Sequence, residues 1–152
     1  MFRGISAVNL DAKGRMAVPS RYRVQIEKEA NSQLIVTIDT EHRCLLLYPL
    51  PEWELIERKI EALPSFNPTA RRIQRLLIGH ATEVELDNNG RILLPPLLRE
   101  YAAIDKRVML VGQGKKFEIW DEGQWQGGRD QWLAQAPLLG TDLPEELKSL
   151  SL

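Results

Sequence analysis

The sequence has few of the residues on which covalent and metal chemistry depends. Cys44 is the only cysteine among 152 residues, which excludes an internal disulfide framework and a metal site built from several cysteines. The two histidines, His42 and His80, lie far apart, and neither belongs to a His-Glu-x-x-His motif. His80 is typical of a surface or capping histidine, and Cys44 of an inert core thiol.

Long apolar segments and nucleotide-binding motifs are also missing. Residues 1–15 contain no apolar run after the first charge, unlike a signal peptide, and no stretch of about 18 apolar residues could span a membrane. We therefore expect a cytoplasmic protein. Gly112-Gln113-Gly114 lacks the third glycine of a dinucleotide loop and is interpreted as a hairpin loop. The sequence gives no support for an enzyme, a cofactor or a metal.

The chain repeats itself. Val8-Asn9-Leu10-Asp11-Ala12-Lys13-Gly14-Arg15 is matched 76 residues later by Val84-Glu85-Leu86-Asp87-Asn88-Asn89-Gly90-Arg91. Each copy continues through an apolar segment to a proline, and then to an arginine four residues on, Arg23 and Arg99. Further downstream, the residues around Tyr48 and Trp53 are echoed around Trp120 and Trp125, at an offset of 72. Two units of about 50 residues are therefore predicted.

Both copies predict the same local structure. Asp-x-x-Gly is a turn signature, because Asp favours the first turn position and Gly tolerates a positive φ at the last. Apolar alternation on both sides of this turn favours a β-hairpin in each unit. The patterns further predict helices at residues 21–30 and 97–103, and strands at 33–38, 44–48, 108–111 and 117–120.

The segment between the units is predicted to be helical. Trp53, Ile56, Ile60 and Leu63 recur at helical spacing, and a second helix is expected to begin with Asn67 as its N-cap and to end at Gly79. The tail from Asp121 is also predicted to be helical, although Gly127-Gly128 should weaken it, and Asp142 with Glu145 resembles a capping box. The predicted divisions are 1–53 (first unit), 54–79 (helical insert), 80–125 (second unit) and 126–152 (helical tail).

The two insert helices carry opposite charges. The first helix carries a set of glutamates and the second a set of arginines. We expect these two sets of side chains to pair with each other, either within the chain or between subunits, rather than to bind DNA. The candidates for this contact are Glu54, Glu57, Glu61, Arg71, Arg72 and Arg75.

A near-neutral net charge of −1 hides a polarised chain. Residues 1–23 hold five basic side chains and one acidic, whereas residues 121–152 hold six acidic and two basic. A basic N-terminal segment is typical of phosphate binding. The DNA-binding candidates are Arg15, Lys13 and Arg3, with Asp11 positioning the motif. Asp87 and Arg91 are predicted to be structural. The alternative is that each motif arginine only pairs with the aspartate four residues before it.

The paired Asp-x-x-x-Arg motifs and the helical insert resemble the MraZ family over essentially the whole chain. The start Met1-Phe2-Arg3-Gly4, the run from Leu45 to Trp53 and the segment Arg75-Leu76-Leu77-Ile78-Gly79-His80-Ala81 carry the likeness. The resemblance implies a mixed α+β fold with two AbrB-like (SpoVT-AbrB) units. These would form a pseudo-twofold β-barrel of the double-ψ or swapped-hairpin type, with peripheral helices.

The resemblance also implies a function. Family members form ring-shaped homo-oligomers and regulate transcription of the bacterial cell-division and cell-wall gene cluster, which includes their own gene. They bind G-rich direct repeats in promoter DNA. We therefore expect a nucleoid-associated repressor with double-stranded DNA and further copies of itself as partners, and no small-molecule substrate. The alternatives are an antitoxin-like or scaffold interaction protein of the same superfamily, whose tail wraps a partner, and a small barrel enzyme.

Overall fold

The computed structural model describes residues 1–135 and 144–150, and it contains two antiparallel sheets and several helices. The strands are β1 (Phe2–Asn9), β2 (Arg15–Ala17), β3 (Gln33–Ile38), β4 (Leu45–Pro49), β5 (Thr82–Glu85), β6 (Arg91–Leu93), β7 (Arg107–Gly114) and β8 (Phe117–Asp121). The helices are α1 (Ser20–Ala30), α2 (Leu50–Glu61), α3 (Pro68–Ile73), α4 (Pro96–Tyr101), α5 (Glu122–Ala134) and α6 (Glu145–Lys148), and a π-helical segment (Gln74–Ile78) continues α3. The fold is therefore mixed α+β.

Most strand pairs join one repeat to the other. The larger sheet has the order β1-β7-β8-β4-β3-β5, and the smaller sheet pairs β2 with β6. Strands β1, β2 and β4 of the first repeat pair with β7, β6 and β8 of the second, and β5 of the second repeat pairs with β3 of the first. Only β3–β4 and β7–β8 pair within a repeat. Both sheets therefore contain strands from the two repeats.

The predicted hairpins are therefore wrong beyond their turns. In the first repeat the turn forms, but β1 and β2 share only the single bridge between Leu10 and Met16 before β2 leaves to pair with β6. The physical reason is burial, because Met16 and its partner Ile92 are fully buried beneath the two-stranded sheet. The apolar alternation correctly indicated which side chains face inward, but it does not specify the partner strand.

One apolar core is shared by both repeats. It contains Met16 and Val18 from the first repeat and Ile92 and Leu94 from the second, each at most 1% exposed. Burying a side chain of this size contributes about 1.5–3 kcal/mol. Because the two repeats fill the same core, the two Asp-x-x-Gly-Arg turns are held on one body.

The insert covers one face of the larger sheet. Trp53 of α2 packs with Tyr48 and Ile35 in a second apolar cluster, which is completed by residues of the π-helical segment. The hydroxyl of Thr37, a buried polar side chain of β3, donates to the Leu77 carbonyl at 2.7 Å. Asn67 caps α3 as predicted, since its Oδ1 accepts from the backbone N–H groups of the next turn.

The tail helix α5 covers a third cluster. Trp125 and Trp132 pack with Trp120 of β8, and each pair of rings meets edge to face with centroids 5.5–5.8 Å apart. Asp121 caps the helix, which runs continuously through Gly127 and the glycine after it, so the expected weakening does not break it. The predicted capping residue Asp142 lies outside the described residues. Among the described helices, none combines the length and apolar character needed to cross a membrane.

The glycines at the end of β7 belong to the strand, so the hairpin loop predicted at residues 112–114 begins too early. It is confirmed only at Gly114 (φ +85°), around which the Gln113 N–H donates to the Lys116 carbonyl at 2.9 Å. Gly112 pairs with Gly4, and Gly114 pairs with Phe2. A Cβ on Gly112 would lie 2.7 Å from the backbone nitrogen of Arg3, so glycine is required there by the close approach of β1. The loop between β7 and β8 is Lys115 and the residue after it.

Candidate nucleic-acid interface

The first turn is folded by Asp11. Its backbone carbonyl accepts from the Gly14 N–H at 3.0 Å, and its backbone N–H donates to the Arg15 carbonyl at 2.9 Å. Its side-chain Oδ1 accepts from the backbone N–H groups of Lys13 and Arg15, both at 2.9 Å, and Oδ2 accepts from Arg15 Nε at 2.8 Å. One carboxylate thus organises both the backbone of the turn and the arginine that follows it.

The same bonds keep Asp11 ionised. The backbone N–H of Arg15 is the largest influence, and with the Arg15 side chain and the Lys13 N–H it lowers the pKa of Asp11 from 3.8 to about 2. The side chains of Asp11 and Arg15 are 32% and 30% exposed. A charged carboxylate at neutral pH therefore holds Arg15 in place while leaving part of the guanidinium facing outward.

The second turn repeats this pattern, but its arginine lies farther from its aspartate. Asp87 Oδ1 accepts from the backbone N–H groups of Asn89 and Arg91 at 2.8 and 2.9 Å, and these bonds lower its pKa. Arg91 Nε lies 3.4 Å from Asp87 Oδ2, and its Nη1 lies 3.7 Å from Asp11 Oδ2. Arg91 therefore contacts the aspartates of both turns, which links them electrostatically.

The β2–β6 pairing places both motif arginines on one surface. Arg15 lies opposite Leu93 and Arg91 opposite Ala17, while Met16 and its partner between them point into the core. We call this two-stranded sheet with its two turns the ribbon. Its outer face carries Arg15 and Arg91, flanked by exposed Lys13 at the tip of the first turn. The sequence did not predict this proximity, since it depends on the pairing of two three-residue strands.

The interpretation that each arginine pairs with its own aspartate is confirmed as a contact in both turns. In the first turn, this contact leaves further N–H donors of Arg15 available. An arginine carries five N–H donors, and the bond to Asp11 uses Nε. Among the described residues no group accepts from Nη1 or Nη2 of Arg15 within hydrogen-bond distance. The contact is thus compatible with an outward-facing pair of donors on Arg15.

Arg3 does not lie near this surface. It stands near the start of β1, opposite Gln113, whereas the first turn follows the other end of that strand at Asn9. At about 3.3 Å per residue, the strand from Arg3 to Asn9 spans at most about 20 Å. The charges of the sequence suggested that Arg3 shares a basic patch with Lys13 and Arg15, but Arg3 lies at the end of β1 that is remote from the first turn.

Two arginines outside the motifs support the turns, and each does so on the other repeat. The Arg99 guanidinium of α4 lies where a Cβ on Gly14 would be, with Cζ 2.6 Å from that position. The Arg23 guanidinium of α1 occupies the corresponding space at Gly90. Sequence reasoning found these arginines as part of the repeat but gave them no role; their fixed spacing from the proline was the available signal.

The charged faces of the insert remain apart within the chain. Among the described residues no ion pair within 4.0 Å joins an acidic side chain of α2 to an arginine of α3 or the π-helical segment. Glu61 and the three arginines are exposed, and Glu54 and Glu57 are half-buried. These six side chains therefore form no ion pair with one another within the chain, and the arginines and Glu61 are exposed to solvent.

The remaining reactive side chains have structural roles. Cys44 is fully buried, and desolvation raises the pKa of its thiol, so the thiolate that reacts with electrophiles is suppressed. His80 Nδ1 lies 2.8 Å from the Leu76 carbonyl at the end of the insert, which confirms the capping prediction. Within residues 1–135 and 144–150, no three His, Cys, Asp or Glu side chains converge as a metal site.

Comparison with known proteins agrees with this architecture. The chain matches the family model described as "MraZ protein, putative antitoxin-like" over residues 1–76 and 77–138, one turn in each stretch. It is 64% identical over 152 residues to "Transcriptional regulator MraZ" of Coxiella burnetii (strain RSA 493 / Nine Mile phase I), covering 100% of both chains. Proteins of the same name from Halorhodospira halophila (strain DSM 244 / SL1) and Legionella pneumophila (strain Paris) are each 55% identical over 152 residues, again 100% of both chains.

The family model and these full-length relatives confirm the resemblance that the two motifs and the insert carried. Both matched stretches are needed to build the shared core and the ribbon described above. The chain belongs to the MraZ family.

Proposed function

We propose that the chain is a sequence-specific, DNA-binding transcription regulator whose reading surface is the ribbon, centred on the first turn. The observation that carries the proposal is the arrangement of Arg15: its Nε is bound by Asp11, its side chain is 30% exposed, and its other donors have no acceptor among the described residues. The full-length relatives named as transcriptional regulators support the same role. No enzymatic family is indicated by these comparisons.

The shape of the ribbon suits the proposed partner. The major groove of B-DNA, about 12 Å wide, admits a two-stranded β-ribbon. An arginine in that groove can donate two hydrogen bonds to O6 and N7 of guanine, which fits the G-rich repeats expected for the family. Lys13, exposed at the tip of the turn, is placed to meet a phosphate. Arg15 would thus supply specificity and Lys13 affinity.

The two turns have different roles in this proposal. The first carries Lys13 before its arginine, whereas the second carries Asn88 and Asn89 and follows acidic residues of β5. Arg91 lies near the carboxylates of both turns, at 3.4 and 3.7 Å, which suits a role in linking the turns. We assign the second turn to support of the ribbon. Arg3, at the far end of β1, is left outside the DNA-contacting surface of one subunit.

One ribbon offers few contacts, so useful affinity requires several copies. Identical subunits arranged in a ring would convert later contacts with direct repeats into intramolecular ones. The open acidic and basic faces of the insert are the proposed contact between neighbours, since a head-to-tail contact that closes generates a ring. Leu55 of α2 and Phe66 after it are 51% and 87% exposed, which adds apolar surface to that contact.

The repeats are proposed to fold as one pseudo-twofold barrel of the double-ψ or swapped-hairpin type. The strand exchange between repeats and the shared core support this proposal. The division into units 1–53 and 80–125, an insert 54–79 and a tail 126–152 also remains our proposal. Within it, the insert serves assembly and the units build the ribbon.

The proposed target is the promoter of the cell-division and cell-wall gene cluster that includes the chain's own gene, with repression as the outcome and the nucleoid as the location. The test is a gel-shift titration with that promoter fragment and an unrelated fragment of equal length, across a salt series. We expect discrete complexes with the promoter fragment at concentrations that leave the unrelated one free. Affinity should fall with salt at a log–log slope of about −0.9 per neutralised phosphate.

Two results would contradict the proposal. Equal binding to both fragments would indicate a non-specific DNA-binding protein. Absence of binding to either fragment at low salt would favour an interaction protein of the antitoxin-like type, and a protein partner would then be sought.

A further inference from the structure

We infer that Arg99 is a positioning residue for DNA recognition: from the second repeat, its guanidinium clamps Gly14 and thereby holds the first turn in its reading conformation. The inference rests on the proposed function, because it concerns the same turn. It adds that the specificity of the first repeat depends on an arginine of the second repeat which itself need not contact a base.

The clamp is visible in the packing around Gly14. Gly14 has a φ of +84°, a conformation that favours glycine, and a Cβ there would lie 2.6 Å from Arg99 Cζ and 2.9 Å from both Nε and Nη1. The guanidinium therefore fills the space where a side chain would be. Gly14 is required both by its backbone conformation and by this close approach.

Hydrogen bonds close the clamp into a cycle. The backbone N–H of Leu94 donates to the Gly14 carbonyl at 3.0 Å, and the Leu94 carbonyl accepts from Arg99 Nε at 3.0 Å. The first turn is thus tied to the residue after β6 and, through it, to α4. Gly14 directly precedes Arg15, so loosening the cycle would release the backbone from which the proposed reading side chain projects.

The charge of Arg99 adds a second consideration. Its side chain is half-buried, and among the described residues no carboxylate lies within 4.0 Å of it. A direct phosphate contact is therefore the rival role. The two roles differ in what they require. Lysine is a competent phosphate ligand, but it cannot reproduce a planar guanidinium that fills the space beside Gly14 while its Nε donates to the Leu94 carbonyl.

The second repeat supplies a matched control within the same molecule. Arg23 fills the space at Gly90, which has a φ of +70°, and its Nε donates to the Val18 carbonyl. The Val18 N–H in turn donates to the Gly90 carbonyl at 2.9 Å. This cycle has the same bonds but holds the turn that we assign to support.

The experiment compares Arg99→Lys with Arg23→Lys, which keep the net charge and disrupt equivalent cycles. For each variant, affinity is measured for the chain's own promoter fragment and for an unrelated fragment of equal length. Assembly size and thermal unfolding are recorded in parallel. We expect Arg99→Lys to lower the promoter-to-unrelated affinity ratio by roughly tenfold, as expected for loss of one well-aligned arginine–guanine contact, and Arg23→Lys by less than about twofold.

A general structural role would reduce the ratio equally in both variants, and that result would overturn the inference. Wild-type discrimination by Arg99→Lys would overturn it as well and would favour a phosphate contact. Arg15→Ala is included to test the proposed function separately from the clamp. If this variant keeps specific binding, the proposed reading function fails. The clamp itself is then tested by amide hydrogen exchange at Leu94, which should be faster in Arg99→Lys and unchanged in Arg23→Lys.

Discussion

At the scale of single residues, the site depends on an aspartate that binds backbone and side chain together. Asp11 accepts two backbone N–H bonds and one from Arg15 Nε, and the Asp87 carboxylate repeats the two backbone bonds. The residue types at these positions could be predicted from the Asp-x-x-Gly-Arg spacing, because that spacing encodes a local turn. The clamp by Arg99 could not, since it depends on a contact between residues 85 positions apart.

Acid should destabilise the protein through Asp11. Its pKa is lowered to about 2 in the folded chain, against 3.8 for the free side chain, so the unfolded state binds more protons between these values. The stabilisation is complete above about pH 4 and is lost as the pH falls toward 2. Asp11→Asn should flatten the dependence of the free energy of unfolding on pH in this window.

Urea unfolding followed by tryptophan fluorescence at fixed protein concentration measures this dependence. Asp87→Asn is the matched variant. It should remove a further part of the pH dependence of the free energy of unfolding, because the pKa of Asp87 is also lowered. An unchanged slope between pH 4 and 2 in Asp11→Asn would show that the Asp11 bonds do not contribute to stability.

Arg91→Ala should affect stability more than recognition. Arg91 lies 3.4 Å from Asp87 and 3.7 Å from Asp11, so its removal leaves two carboxylates without a shared partner. Part-exposed ion pairs are weak, and we expect Tm to fall by roughly 2–4 °C while the promoter-to-unrelated affinity ratio is retained. Calorimetry and the gel-shift titration measure the two quantities. Loss of discrimination at unchanged Tm would instead assign Arg91 to base reading.

At the scale of elements, local patterns predicted structure well where neighbours along the chain determine it. Residues 33–38 form a strand with the predicted bounds, and Asn67 caps α3 as expected. The partners of β1 and β2 could not be predicted, because alternation specifies a buried face and not the strand beside it. The ribbon follows from that non-local pairing, which explains why its two arginines were assigned separately.

The charged faces of the insert lead to a prediction about assembly. The two faces make no ion pair with each other within the described part of the chain, so a neighbouring subunit is the proposed partner. Glu57→Arg should shift the population from the proposed ring toward smaller species by analytical ultracentrifugation, most clearly at low salt, where charge is least screened.

Glu29→Arg, at an exposed position of α1 outside the insert, is the matched charge reversal and should leave the size distribution unchanged. A Glu57→Arg protein with the wild-type distribution would exclude this face as the contact between subunits. Exposed Leu55 and Phe66 would then be the next candidates for that contact.

At the scale of the whole molecule, the two repeats have the same local structure but differ in the charged residues of their turns. Both repeats contribute to one core and one ribbon, yet only the first turn carries a lysine, Lys13, and residues 1–23 hold five basic side chains against one acidic. The symmetric features were predictable from the 76-residue offset. The different roles that we propose for the two turns follow from the sequence differences between the copies.

Multivalency should appear in the binding of DNA with different numbers of repeats. If several ribbons of one ring engage adjacent repeats, a fragment with three repeats should bind at least about 100-fold more tightly than one with a single repeat. The comparison uses fragments of equal length in which the other repeats are scrambled. Equal affinities would indicate that each subunit binds independently.

The most direct test of the central claim is the binding of Arg15→Ala to the chain's own promoter fragment, with the size of the assembly verified in the same sample. Arg15 lies in β2 of the ribbon with its side chain 30% exposed, and the hydrogen bond of that side chain is made to its own turn. We expect the assembly to keep its wild-type size while the promoter fragment loses its preference over unrelated DNA. An Arg15→Ala assembly that still selects the promoter fragment with wild-type affinity would contradict the account.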